Sequence, residues 1–370
     1  MKLKIKRVFV EESVIHHPYT QEICRQLGLV PKIVPAGEKP PLPLKSWPEI
    51  LNWGKETLFL TRYRGKFFRP CPGTKAYLCC AYRIFHIGQG CPLDCSYCIL
   101  QAYLNAPWLT FFVNVLEEGW TELKEALSTG RLWRIGTGEF TDSLALDPLT
   151  RLNERLISLF GRQDRAVLEL KTKTINIKHL KDLPHARKTI IAWSLNTERI
   201  IREEEQRTAS LKARLEAARK VAEWGYPVAF HFDPLVLYPE AEEEYLQVIS
   251  WLARVLPPEE IAWISLGSLR YMPVLKEIAW ERFPHTKIFS HEFVVGLDGK
   301  KRYLRPLRVA LYRRLVQAIK ELLPGVVVYF CMESPEVWRD VFGFSPTEKG
   351  GLPKLLDEAA KRVCRLKNQS

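Results

Sequence analysis

Six short apolar segments rich in strand-forming residues recur along the 370-residue chain: Tyr82–Ile87, Leu132–Gly136, Ala166–Lys171, Thr189–Leu195, Val228–Phe232 and Ile261–Leu266. Helix-forming stretches separate them, near Glu118–Ser128, Leu149–Phe160, Ser210–Trp224 and Glu240–Val255. Alternation of this kind predicts an α/β chain built from parallel βα units. The third helix has the clearest signals: Ser210 as a cap, Leu211, Leu215, Ala218 and Ala222 on one face, then Gly225 with Pro227 beyond it. Residues 1–81 read as an N-terminal α/β extension followed by a proline-rich connector, Val34–Pro43. Residues 82–285 hold the βα units, and 286–370 a hairpin and helical region in which Ile288–Leu297 and Lys300–Val309 flank Asp298-Gly299, a type I′ turn signal.

Directly after the first segment stands Gly90-Cys91-Pro92-Leu93-Asp94-Cys95-Ser96-Tyr97-Cys98, a C-x3-C-x2-C run. Three thiolates on one tight loop hold three corners of a four-iron four-sulfur (4Fe-4S) cluster and leave the fourth iron open to a small molecule. Structural zinc normally takes four protein ligands, and no second C-x2-C knuckle follows Cys98. Zinc and plain buried thiols are the competing readings.

The other bulk features narrow the class. No apolar run is long enough to span a bilayer, and Met1–Val8 lacks the apolar core of a signal peptide, so a cytoplasmic protein with no membrane partner is expected. Nine cysteines, an odd number, without an export signal argue against a disulfide framework. A formal net charge of +13 favours a polyanionic partner, DNA or another nucleic acid, over a merely lysine- and arginine-rich surface.

The cluster loop, with Tyr97 just before its third cysteine, resembles that of the radical S-adenosylmethionine (SAM) enzymes. The run Cys91–Gln101, with Lys171-Thr-Lys-Thr174 and Trp193-Ser-Leu-Asn196 downstream, resembles the spore photoproduct lyase family in particular. The resemblance covers the chain from about Val8 and weakens after Tyr271. It implies an open (β/α)6 partial TIM barrel with the cluster loop after its first strand. It also implies a 4Fe-4S cluster at Cys91, Cys95 and Cys98, SAM on the open iron, and an electron donor such as flavodoxin or ferredoxin. The implied activity is lyase-type: a 5′-deoxyadenosyl radical repairs a pyrimidine photolesion in DNA, the chemistry residing in the cofactor while the protein aims it. On the same resemblance, Gly136-Thr-Gly-Glu-Phe-Thr-Asp-Ser143 holds the methionyl amino group, with Glu139, Asp142, Thr141 and Ser143 as acceptors. Lys173 then meets the methionyl carboxylate, unless Lys171 on the same strand face does, and Ser194 the ribose. A polar turn capping the next helix is the simpler reading of 136–143.

One departure stands out. The family's hydrogen-donor cysteine falls in the segment matching Gly138–Ser143, where this chain has none, and Ile99 replaces the tyrosine after the third cluster cysteine. Tyr97 remains as a catalytic candidate. Cys331, after the strand-like Val326–Phe330 and with Glu333 two residues on, is the replacement donor, a buried small thiol being the alternative. Cys71, Cys79 and Cys80 read as core thiols or, less readily, an auxiliary metal site. His231 and Asp233 share one strand face and contact adenine, substrate or each other. Arg302, Tyr303 and Arg305, with Lys300, Lys301 and Arg308, form a basic hairpin that grips phosphates and stacks a base, or else a solvated charge run. Two further readings stay open: a different radical modification of nucleic acid, and a non-catalytic iron–sulfur protein that binds nucleic acid.

Overall fold

The computed structural model describes residues 3–74 and 76–367. Seven parallel strands lie side by side in chain order in one curled, open sheet: β1 (Arg83–Phe85), β2 (Trp133–Gly136), β3 (Ala166–Thr172), β4 (Thr189–Ser194), β5 (Val228–Leu235), β6 (Ile261–Ser268) and β7 (Val327–Phe330). Phe68–Pro70 pairs antiparallel with β1 at the outer edge. This is the partial barrel that the sequence resemblance implied, and its first six strands coincide with the six apolar segments. All eight residues of β6 are buried, as expected of strands covered on both faces.

Strand pairing crosses both expected divisions of the chain. β7 comes from beyond residue 285 and pairs with β6 from Trp263↔Val327 to Leu266↔Phe330. A buried strand such as β6 cannot leave its edge unpaired, and the apolar run at 326–330 supplies the partner. At the other end, Lys32–Val34, Arg7–Glu11, Thr57–Thr61 and Leu109–Phe112 form a parallel sheet, joined antiparallel by Gly88–Gln89, so two of its five strands lie past residue 81. One continuous core runs from Val8 to Leu366.

The helices follow their sequence signals. Glu118–Ser128 and Ala241–Val255 form as read. Leu211–Glu223 is capped by Ser210, whose Oγ accepts from Ala213 N at 3.3 Å, and ends before Gly225 at φ +90°. The expected Leu149–Phe160 helix is two pieces, Asp147–Thr150 and Leu152–Phe160, broken at Arg151 with φ +52°. The break is stabilised by Asp147, whose carboxylate accepts from Asn153 N at 3.0 Å and so caps the second piece.

The hairpin forms with shorter strands than expected: Val294–Val295 pairs with Lys301–Arg302, which pairs in turn with Arg270–Tyr271. Gly296 N donates to Lys300 O at 2.8 Å, leaving a three-residue loop, Leu297-Asp298-Gly299, with Gly299 at φ +74°, not a two-residue turn. The second strand ends by residue 304, where the helix Arg305–Leu322 takes over. Among the described residues, no helix is long and apolar enough to cross a membrane.

Candidate active site

The three cysteines lie on the loop after β1, and the groups facing them come from the C-terminal ends of β2 to β5, where loops vary without disturbing the core. Cys91, Cys95 and Cys98 line a cavity of about 240 Å³ together with Glu139, Thr141, Lys171, Lys173 and Ser194. Most of the cofactor residues expected from sequence are thus brought together. Among the described residues no three His, Cys, Asp or Glu side chains converge on a point where one ion would sit. A cluster puts each thiolate on a different iron and so asks for a wider spacing. Burial pushes the Cys95 thiol up to about 12 and Cys91 well above the ordinary range. A bound cation reverses that balance and displaces the protons.

The polar groups of the cavity divide between ligand and scaffold roles. Thr141 Oγ1 is buried without a hydrogen-bond partner, an acceptor and donor free for a ligand. Glu139 is held by the Lys171 ammonium, which also lies 4.8 Å from the Tyr82 ring centre. Lys173 Nζ donates to Tyr97 Oη at 2.7 Å and lies 2.8 Å from Glu205 Oε1, while Tyr97 donates its own proton to Glu205. The two lysines are therefore separately anchored, Lys171 to the β2 loop and Lys173 to Tyr97. Asp142 accepts from Leu144 N, Ala145 N, Thr172 Oγ1 and Lys173 N at 2.8 to 3.0 Å, so its carboxylate is filled by scaffold donors. Ser143 is corrected in the same way: it does not line the cavity, and its buried Oγ bonds Thr137 Oγ1 at 2.9 Å and Lys171 N at 3.1 Å.

A second cavity of about 430 Å³ adjoins the first, with Tyr97, Cys98, Glu139, Lys171, His231 and Asp233 lining both. Cys331 lines it, as expected from its place after β7. Arg270 donates to Cys331 Sγ at 3.5 Å and grips Asp233 with both terminal nitrogens at 3.0 Å. His231 bonds Glu169 at 2.9 Å. Glu333 takes no part: it is 1% exposed, and its carboxylate is taken by Arg308 and Tyr312.

Cys71, Cys79 and Cys80 line this larger cavity too. Reading them as core thiols missed this, because their loop reaches the strand ends only through long-range folding. The four thiols differ in protonation. Burial pushes Cys331 up to about 12 and also raises Cys71; Cys80 rises chiefly because its proton is held by the Cys79 sulfur. That hydrogen bond, with another from Ala81 N–H at 3.4 Å, holds Cys79 down at about 6. Sequence gave no signal for Glu205, Arg214 or Arg270; Glu205 and Arg214 form a fully buried ion pair at 2.5 Å behind Tyr97.

The hairpin expectation is corrected. Tyr303 is fully buried, stacked on Phe293, and its hydroxyl accepts from Leu237 N at 3.2 Å. Arg302 is 2% exposed; it pairs with Asp298 at 2.9 Å, donates to Met332 O at 3.1 Å and stacks over Tyr77. These side chains fix the hairpin against the barrel and offer nothing to a phosphate or base. Arg305 is exposed and paired with Asp340 at 2.5 Å. Tyr303→Ala is accordingly expected to destabilise the fold by about 3–5 kcal/mol, as large buried aromatics do. Chemical unfolding measures it, and a midpoint equal to the parent's would refute the structural role.

An open parallel half-barrel with a three-cysteine loop after its first strand, and cofactor-sized space at the strand ends, defines a radical SAM protein. The family model for spore photoproduct lyase matches residues 77–325. The chain is 29% identical over 252 residues to the spore photoproduct lyase of Bacillus subtilis (strain 168), covering 65% of this chain and 71% of that one. It is 24% identical over 314 residues to that of Clostridium acetobutylicum, covering 82% and 91%. Its fold matches a solved spore photoproduct lyase mutant with dinucleoside spore photoproduct, with a TM-score of 0.80 at 24% identity over 88% of this chain and 99% of that one. A double mutant with bound AdoMet and dinucleoside spore photoproduct matches with a TM-score of 0.78 at 24% identity, over 88% and 99%. The chain belongs to the spore photoproduct lyase family, a family of radical SAM lyases.

Proposed function

We propose that this protein is a radical SAM enzyme that repairs a pyrimidine photolesion in DNA, with its hydrogen-donor thiol relocated from the β2 loop to Cys331. The observation that carries the reading is the junction of the two cavities. One is lined by Cys91, Cys95, Cys98 and the SAM-binding candidates, and the other by thiols, with Tyr97 between them. The family relatives solved with dinucleoside spore photoproduct supply the substrate class. When bound, a 4Fe-4S cluster with an open iron, fed by a flavodoxin- or ferredoxin-type donor, supplies the electron that cleaves SAM to a 5′-deoxyadenosyl radical.

The protein's own residues then have separable tasks. Glu139 and Thr141 accept the methionyl ammonium, Lys173 meets the carboxylate and Ser194 the ribose. Cys331, kept as S–H by burial, gives its hydrogen atom to the substrate radical: a C–H bond forms, the S–H bond breaks and a thiyl remains. Tyr97 returns a hydrogen atom from its O–H to that sulfur, and the tyrosyl radical it becomes is quenched by one further electron from the flavodoxin- or ferredoxin-type donor and one proton from solvent. Cys79, inclined to the thiolate by the hydrogen bond it accepts from Cys80, is the poorest hydrogen donor of the four. Phosphates are met by exposed cations such as Arg305 and by the overall positive charge.

Anaerobic reconstitution followed by dithionite, SAM and ultraviolet-irradiated DNA tests the reading, with mass spectrometry of nucleosides and 5′-deoxyadenosine. Restored thymidine is the expected result; SAM cleavage with every photolesion left intact would overturn repair. The missing cysteine in 138–143 favours a second reading, a different radical modification of nucleic acid, whose mark is a new nucleoside in the same assay. Thr141→Val provides a narrower check. Its hydroxyl has no protein partner to lose, so stability should hold within about 0.5 kcal/mol while SAM affinity falls roughly 5- to 10-fold, the size of one hydrogen bond. Equal affinity by calorimetry would remove Thr141 from the SAM site.

A further inference from the structure

The loop 91–98 has little secondary structure of its own: Asp94–Cys95 pairs with Glu205–Gln206, and nothing longer holds it. What fixes it is a set of buried side chains from distant parts of the chain. Lys55, just after the helix Trp47–Gly54, has a side chain 9% exposed; its Nζ donates to Cys91 O at 2.8 Å and to Leu93 O, and lies 3.7 Å from Asp94. Arg282, the last residue of the helix Pro273–Arg282, is 1% exposed at its side chain. It donates to Asp94 at 2.8 Å, to Asn52 Oδ1 at 2.5 Å and to Gln101 Oε1. Gln101 passes the grip on, its Nε2 donating to Cys95 O and Ser96 O at 3.0 Å each.

We propose that Lys55 and Arg282 are positioning residues that preform the cysteine loop, and that the Lys55 charge also raises the reduction potential of the cluster the loop holds. Two buried cations are costly to place against a single carboxylate, and hydrophobic side chains of similar volume would pack the same space at no such cost. Their geometry accounts for the choice. Lys55 holds the carbonyls of the loop's first half, Gln101 those of the second, and Arg282 ties both halves together through Asp94 and Gln101. Buried carboxylates flank the loop as well, Asp94 between the two cations, Asp142 behind Cys91 and Glu204 accepting from Ser96 Oγ, so the Lys55 charge is one of the few that offset them beside three thiolates, and its removal leaves the site more negative. A centre that gains an electron beside the Lys55 charge is stabilised in its reduced form, through a medium that screens poorly. The potential half of the inference rests on the cluster reading above, whereas the positioning half concerns the protein alone.

The test uses the full chain in both forms. In the reconstituted protein, Lys55→Met keeps the aliphatic stem and removes the charge. Its ratio of reduced to oxidised cluster at a fixed poise should fall at least tenfold, equivalent to about 59 mV for one electron, with Lys55→Arg staying close to the parent. In the metal-free protein, amide hydrogen exchange across residues 91–98 should quicken at least fivefold in Lys55→Met and in Arg282→Gln, with the strand Ala166–Thr172 unchanged as the internal reference. A parent-like potential in Lys55→Met would overturn the electrostatic role, and parent-like loop exchange in both variants would overturn the positioning role. Should exchange quicken throughout the chain, Lys55→Arg decides: restored loop protection supports the clamp, and continued global exchange refutes a local one. If the parent itself takes up no iron, the cluster reading fails, while the exchange measurement still decides the clamp.

Discussion

Replacing Cys91, Cys95 and Cys98 together with alanine should lower bound iron from about four atoms per chain to none and abolish dithionite-driven cleavage of SAM. Among the described residues, thiolates are the only soft, anionic side chains facing the smaller cavity, and neither Thr141 nor Ser194 can replace a lost sulfur ligand. The fold should survive, because the loop is held from behind by Lys55, Gln101 and Arg282 and by the pairing with Glu205–Gln206. Near-parent circular dichroism with a colourless protein is therefore the expected combination. Full iron content in the triple variant would place the cluster elsewhere and dismantle the assignment.

Cys331→Ala should separate radical generation from its quenching. Iron content and 5′-deoxyadenosine formation persist, while restored thymidine falls at least tenfold and adducts of the trapped substrate radical accumulate. Cys331→Ser is the sharper version: it keeps the shape of the wall but substitutes an O–H bond too strong to yield its hydrogen to a carbon radical. Cys79→Ala serves as the control with unchanged product, since that sulfur is held near pKa 6 as a poor source of hydrogen atoms. Cys71→Ala and Cys80→Ala complete the set, because both thiols line the same cavity and both keep their protons. Unchanged yield in Cys331→Ala with a loss in either of these would move the donor across the cavity.

How much of this was legible in the sequence depended on whether the signal was local. β1 to β6 were legible because each buried strand is a short apolar run between helix signals, and the cysteine loop because its ligands sit within eight residues. β7 had the same apolar signature, yet its distance from β6 along the chain hid the pairing. Arg302 and Tyr303 misled because a basic, aromatic hairpin looks alike whether its side chains face solvent or a neighbouring strand; only the partners Asp298, Tyr77 and Phe293 reveal the direction. Glu205, Arg270, Lys55 and Arg282 were invisible for a related reason. An isolated charged residue announces nothing until folding brings it a buried partner far away in sequence.

The origin of β7 also governs the order in which a newly made chain can mature. Six strands leave the ribosome before the seventh, and until it arrives the edge of β6, with every residue apolar or buried in the finished protein, has no partner. Arg282 and Cys331 arrive late as well, so the cysteine loop is not fully clasped, nor the thiol wall closed, while the first two-thirds of the chain is being translated. Metal delivery should therefore follow chain release. Overproduction that outruns folding will accumulate precursors joined edge to edge, and slower synthesis should improve the yield of loadable protein more than added iron does.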